Sequence, residues 1–155
     1  MDIKVPRINV PCKVFVHHSG EEDCEIFLAE TSSFRPGVET LDEFLNIDKR
    51  EFIPIKLLYS KRVILMSKKF IETITVSPQL IFIDKNEGTP PTREVEIQVQ
   101  MEDGRIYEGK IKIFGNLFES RVTDFINQGG IFFQLHSKDN VYYINKSFLK
   151  KIEEI

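Results

Sequence analysis

Between Phe52 and Ile71 the chain carries Lys56, Lys61, Arg62, Lys68 and Lys69, interleaved with Tyr59 and Phe70 and free of any acidic residue. Cations on one face can neutralise phosphates, and aromatic rings give bases a surface to stack on. The stretch is therefore a candidate contact for a nucleic acid or an acidic protein surface. The plainer expectation is a pair of strand ends whose solvated lysines keep an exposed edge from aggregating. A second group, Arg121, Asp124, Asn127 and Lys146, has the donors and acceptors to hold a small polar ligand. Asp and Asn suit helix ends without any ligand: Asp124 would cap, Asn127 would end a helix, and Arg121 would pair with Asp124 or Glu119.

Other reactive residue types lack the spacing their chemistry needs. His17, His18 and His136 have no carboxylate or thiol at metal-ligand spacing, apart from Asp23 or Cys24 across a hairpin. Gly129-Gly130 lacks the Lys and Ser/Thr of a phosphate loop, and no strained turn presents a serine. The sequence points to no catalytic residue, no metal and no cofactor, and so to a non-enzymatic role. With 24 acidic against 21 basic residues, the net charge of −3 argues against a generic nucleic-acid binder. No apolar run approaches the roughly 18–20 residues a spanning helix needs. The first residues also lack a charged start followed by an apolar core, so a cytoplasmic protein is expected. If residues 19–22 form the first hairpin turn, Cys24 falls opposite His17 or a neighbour rather than Cys12. That separation disfavours a disulfide, as does the compartment.

These residues are positioned by an arrangement that the chain states twice. Leu41-Asp42-Glu43-Phe44-Leu45-Asn46 returns as Val122-Thr123-Asp124-Phe125-Ile126-Asn127, and Lys68-Lys69-Phe70-Ile71 returns as Lys146-Ser147-Phe148-Leu149. Gly20 and Gly104 each sit in a polar turn after an alternating segment. Strict alternation in Cys12-Lys13-Val14-Phe15-Val16 and Val95-Glu96-Ile97-Gln98-Val99 predicts half-buried strands. Asp103-Gly104 is a strong hairpin signal. Gly109 marks a bend or a close backbone approach. Leu41, Phe44 and Leu45, like Val122, Phe125 and Ile126, share one face of a short helix, with Thr40 or Ser120 suited to the N-cap. Three apolar strands then follow in each half: 52–57, 63–66 and 70–76, then 131–135, 141–144 and 148–152. The expected organisation is a first unit over 8–78, a linker over 79–93 and a second unit over 94–155. Units this small bury only about 60% of their unfolded surface, so association between them or with partner chains is expected. Leu80-Ile81-Phe82-Ile83 is too apolar for a free linker and is expected to dock as an extra strand, with Phe82 buried between the units.

The five strands per unit, the turn Asp103-Gly104-Arg105, the following Gly109 and the terminal Lys-x-Phe-hydrophobic segment resemble the Sm-like barrel, a small SH3-related β-barrel. The resemblance implies a mainly β fold of two tandem five-stranded barrels, each with one short helix, and edge strands that pair between subunits. A second likeness is to uncharacterised bacterial proteins that carry an Arg-hydrophobic-Ser/Thr-Asp-Phe-hydrophobic-Asn box, here residues 121–127, followed by Ile144-Asn145-Lys146. It implies a bacterial origin. The expected function is a protein-interaction or assembly module, with a protein partner or a homo-oligomer. The alternative is an Sm-like nucleic-acid-binding protein that uses Lys56, Tyr59, Lys61, Arg62, Lys68 and Lys69.

Overall fold

The computed structural model of the chain describes residues 7–79, 90–115 and 121–155. The expected docking strand around Phe82, most of the linker, Glu119 and the Ser120 cap lie outside these residues.

The fold is mainly β. Ten strands are described: β1 (Arg7–Val16), β2 (Gly20–Ala29), β3 (Phe52–Leu57), β4 (Val63–Ser67), β5 (Ile71–Val76), β6 (Arg93–Met101), β7 (Ile106–Ile113), β8 (Phe132–His136), β9 (Val141–Asn145) and β10 (Leu149–Glu154). Among the described residues helical structure is confined to short segments: a π-helical turn at Glu43–Ile47, α1 at Val122–Asn127, and 3₁₀ turns at Lys68–Phe70 and Lys146–Phe148. Among the described residues no helix is long and apolar enough to cross a membrane.

All ten strands join one antiparallel sheet in the order β10-β6-β7-β8-β9-β5-β1-β2-β3-β4. Within it, β5-β1-β2-β3-β4 and β10-β6-β7-β8-β9 follow the same order of first, second, third, fourth and fifth strand. The expected pair of separate closed barrels gives way here to one continuous, open sheet. Its continuity comes from β5 pairing with β9, from Thr73↔Ile144 to Val76↔Val141, so the last strand of the first half lies against the fourth strand of the second. Among the described strands the edges left over are β4 and β10.

Two cores lie along the sheet. One gathers Val10, Val14, Ile26, Leu28, Leu41, Phe44, Leu45, Ile53, Ile55 and Ile74 of the first half with Phe132, Val141 and Tyr143 of the second. The other gathers Val95, Ile97, Val99, Ile111, Phe133, Leu135 and Ile144. The π-helical turn starts in a capping box, as Thr40 suits: Glu43 N donates to Thr40 Oγ1 and Thr40 N donates to Glu43 Oε1, each at 3.1 Å. Gly109 fulfils its predicted role, since a Cβ there would stand 2.6 Å from the backbone oxygen of His136.

The first hairpin corrects the expected register. Its connection is His17–Ser19, with His18 at φ 64° and Gly20 at φ 88°, and it places Cys12 directly opposite Cys24. The two thiols are free and buried, with sulfurs 3.5 Å apart. The hydrogen bond to Cys24, then burial, push the Cys12 thiol well above its ordinary pKa, so Cys12 is protonated and inert as a nucleophile.

Candidate interaction edges and the joint between the halves

The β5–β9 joint is sealed by polar side chains that reach from one half to the backbone of the other. Asn46, at the end of the π-helical turn, makes a two-point clamp: its Nδ2 donates to Phe132 O at 3.0 Å, and Phe132 N donates to its Oδ1 at 2.8 Å. The same Nδ2 also bonds Asp42 Oδ1 at 2.9 Å, which fixes the amide's orientation. Gly130 makes room for it, since a Cβ there would meet Asn46 Cγ at 2.2 Å. From the other side, buried Asn145 donates to Ile71 O at 2.9 Å. A charged cluster lies at the same end of the joint. Glu72, nearly fully buried, is bonded by Arg105 at 2.5 Å and by His17 Nδ1 at 2.8 Å. The Arg105 guanidinium lies over the Phe15 ring, 3.3 Å from its centroid, and His17 packs on Phe148 at 4.7 Å. Burying a carboxylate is costly unless it is paired in this way.

Matching the halves strand by strand shows what this joint covers. Phe132, Val141 and Tyr143 on the outer face of β8–β9 are 3%, 2% and 0% exposed, whereas Phe52, Val63 and Leu65 at the same positions of β3–β4 are 54%, 59% and 71% exposed. The first group fills the core of the first half, and among the described residues the second group meets no further strand. The complementary deficit lies at the other end. Leu41, Phe44, Leu45, Ile71 and Ile74 are buried, but their counterparts Val122, Phe125, Ile126, Leu149 and Ile152 are only partly so.

The basic stretch surrounds the open β4 edge. Tyr59, Lys61 and Arg62 are exposed in the β3–β4 turn, with Lys61 at φ 57°; Lys69 is exposed beyond β4, and Lys56 is half-buried on β3. Lys68 departs from the group. It is buried, and its Nζ donates to Phe44 O at 2.8 Å and Asp48 O at 2.9 Å, closing the carbonyl end of the π-helical turn. Lys146, its counterpart, does the same beyond α1, donating to Gln128 O at 2.7 Å. Burial lowers the pKa of both lysines.

The second polar group does not converge on a ligand. Arg121 Nε bonds Asp124 Oδ2 at 3.0 Å, as the plainer expectation had it, while Asn127 Nδ2 turns back to Thr123 O at 2.9 Å. Asp124 makes no capping bond to α1. Sequence reasoning did not single out Asn46, Glu72, Arg105 or the outer face of β4. One signal for that face was present: Val63-Ile64-Leu65-Met66 is uninterrupted apolar sequence, the pattern of a strand buried on both sides. Comparison of the chain with protein-family models, with curated proteins and with solved structures finds no match.

Proposed function

We propose that the chain is a non-enzymatic assembly module, a tandem duplication of one Sm-like or SH3-like five-stranded unit, which takes a strand from a partner protein on its β4 edge. The observation that carries this reading is the outer face of β3–β4, where Phe52, Val63 and Leu65 stand exposed on a strand whose composition suits burial on both sides. Covering a side chain of this size stabilises a complex by about 1.5–3 kcal/mol, and an unpaired edge adds backbone hydrogen bonds to the gain. The nucleic-acid alternative has less support, because Lys68 is tied to backbone carbonyls inside the fold and the net charge is −3. The test is a photo-crosslinking amino acid in place of Leu65, irradiated in cells, with products sorted into protein and nucleic acid. A protein adduct is expected. Adducts to nucleic acid alone, or no adduct, overturn the reading.

A further inference from the structure

We propose that the cavity between the π-helical turn and β7–β8 is a binding site for a small organic monoanion with a flat apolar body, an aromatic carboxylate. The cavity has a volume of about 500 Å³. The first half lines it with Asp42, Asn46 and Ile47, and the second half with α1, β7, β8 and the loop after α1. A pocket of this size, with apolar walls and a few convergent polar groups, is the usual form of a small-molecule site. Phe114, Phe125 and Phe133 supply the apolar wall, and Phe125 stands edge to face with Phe133 at 6.2 Å between centroids. A planar ring packs well against such edges and faces.

Two cations line this cavity without the counter-charge that the first half gives to its own lysine. Lys68 and Lys146 occupy equivalent places, and each donates to a carbonyl beyond a helical turn, Lys68 to Asp48 O and Lys146 to Gln128 O. In the first half that residue is an aspartate: burial lowers the Lys68 pKa, and the Asp48 carboxylate opposes the shift. In the second half the same place is Gln128, and Gln128-Gly129-Gly130-Ile131 brings no acidic residue. Burial acts on Lys146 unopposed. Lys112, half-buried at the end of β7, is the second cation. Among the described residues it makes no ion pair, its cross-strand neighbour Glu94 included. Asp42 is the one carboxylate among the described residues of the lining, and its Oδ1 accepts from Asn46. Two lysines against one aspartate, with His136 counted as neutral, leave a single positive charge. A carboxylate balances it and a phosphate dianion exceeds it. Partly desolvated ammonium groups hold such an oxyanion through charge-assisted hydrogen bonds. Because both halves line the cavity, an occupant ties them together and stabilises the folded chain.

Calorimetric titration of the full chain with 2-naphthoate, 2-naphthamide and 2-naphthyl phosphate at neutral pH tests this. The carboxylate is expected to bind with a dissociation constant of about 1 mM or tighter. It should also raise the melting midpoint and shift the amide resonances of Gly129, Gly130 and His136. The neutral amide and the phosphate should each bind at least about tenfold more weakly, the amide because it loses a charge-assisted bond. Gln128→Asp restores the carboxylate that Lys68 has. Gln128 is exposed, so the change should leave the melting midpoint unchanged or higher while weakening 2-naphthoate about tenfold. Lys112→Gln should weaken it to a similar extent, and Lys69→Gln, at the exposed end of β4, should not. No binding of 2-naphthoate, equal binding of acid and amide, tighter binding of the phosphate, or full affinity in a folded Gln128→Asp or Lys112→Gln chain overturns the proposal.

Discussion

Replacing Asn46 with alanine tests whether the two halves are one rigid body held by a polar clamp. The change removes the partner of Phe132 N–H and of Phe132 C=O, both within hydrogen-bond distance now. A buried backbone group left unpaired costs about 1–3 kcal/mol. Two such groups would cost about 2–6 kcal/mol, but the cavity lined by Asp42, Asn46, Gly130 and Phe132 admits water to them. The lower part of that range, about 2–4 kcal/mol, is therefore expected. For a chain of 155 residues this lowers the melting midpoint by roughly 5–15 °C. Asn127→Ala is the matched control: the same residue type at the corresponding helix end, exposed, bonded only to Thr123 O, and expected to cost under about 1 kcal/mol. Urea titrations give the two energies, and amide exchange at Phe132 gives the local reading, which should rise sharply only in Asn46→Ala. Equal losses in the two variants, or unchanged exchange at Phe132, would refute the clamp.

Gly109→Ala should cost about 1–3 kcal/mol in a urea titration, because the new methyl group would meet His136 backbone oxygen at 2.6 Å and neither strand can step aside freely. Glu43→Gln should cost about 2 kcal/mol or more near neutral pH, since Glu43 takes hydrogen bonds from Ser32 and Thr40 and pairs with Arg35 at 3.0 Å. Burial raises the Glu43 pKa, but the bonds from Ser32 and Thr40 outweigh it and the net shift is downward. Its ionised form therefore stabilises the fold above the usual carboxylate pKa, and that contribution is lost as pH falls through the lower folded value. The gap between wild type and Glu43→Gln should start to narrow in melts once pH falls below the usual carboxylate pKa, and a gap that does not narrow at all on acidification would contradict this.

The strand content was legible because alternation is a local property. Val10, Cys12 and Val14 turn inward as period two requires, and Gly109 announced a close approach that His136 makes. The hairpin register was not legible, since a three-residue connection with His18 at positive φ does the work that glycine usually does, and the pairing it sets brings Cys24 opposite Cys12 rather than the region of His17. The fate of the basic stretch was hidden for a related reason. Lys68 and Lys69 are neighbours in sequence, but only Lys68 points at carbonyls released by a helical turn twenty residues earlier. Burial of a surface by another half of the chain is the least local property. Phe52 and Phe132 occupy the same place in equivalent strands, and only the position of β5 makes one of them core and the other surface.

Two halves with the same strand order create a specificity problem, because the fourth strand of one takes the place of the fourth strand of the other, and likewise the fifth. The charges at the strand ends separate the joint from the open edges. Inside the molecule the fifth strand begins with Glu72 and the neighbouring turn supplies Arg105. At the open ends the polarity is reversed: β10 carries Lys150 and Lys151 near its start, and the start of β2 in the other half carries Glu21 and Glu22. If β10 of one copy competed for β9 of another, its lysines would meet Arg105. If β5 sought β4, Glu72 would meet Glu21 and Glu22. Like charges brought together at an interface cost several kcal/mol, and rejecting the wrong partner by repulsion is as effective as improving the right one. Arg105→Glu should therefore do more than loosen Glu72. It should turn the inner joint into an acceptor for β10, so that the variant forms larger, irregular assemblies, detectable by light scattering; a variant that merely melts earlier, with no change in mass, would show that the charges stabilise the joint without choosing its partner.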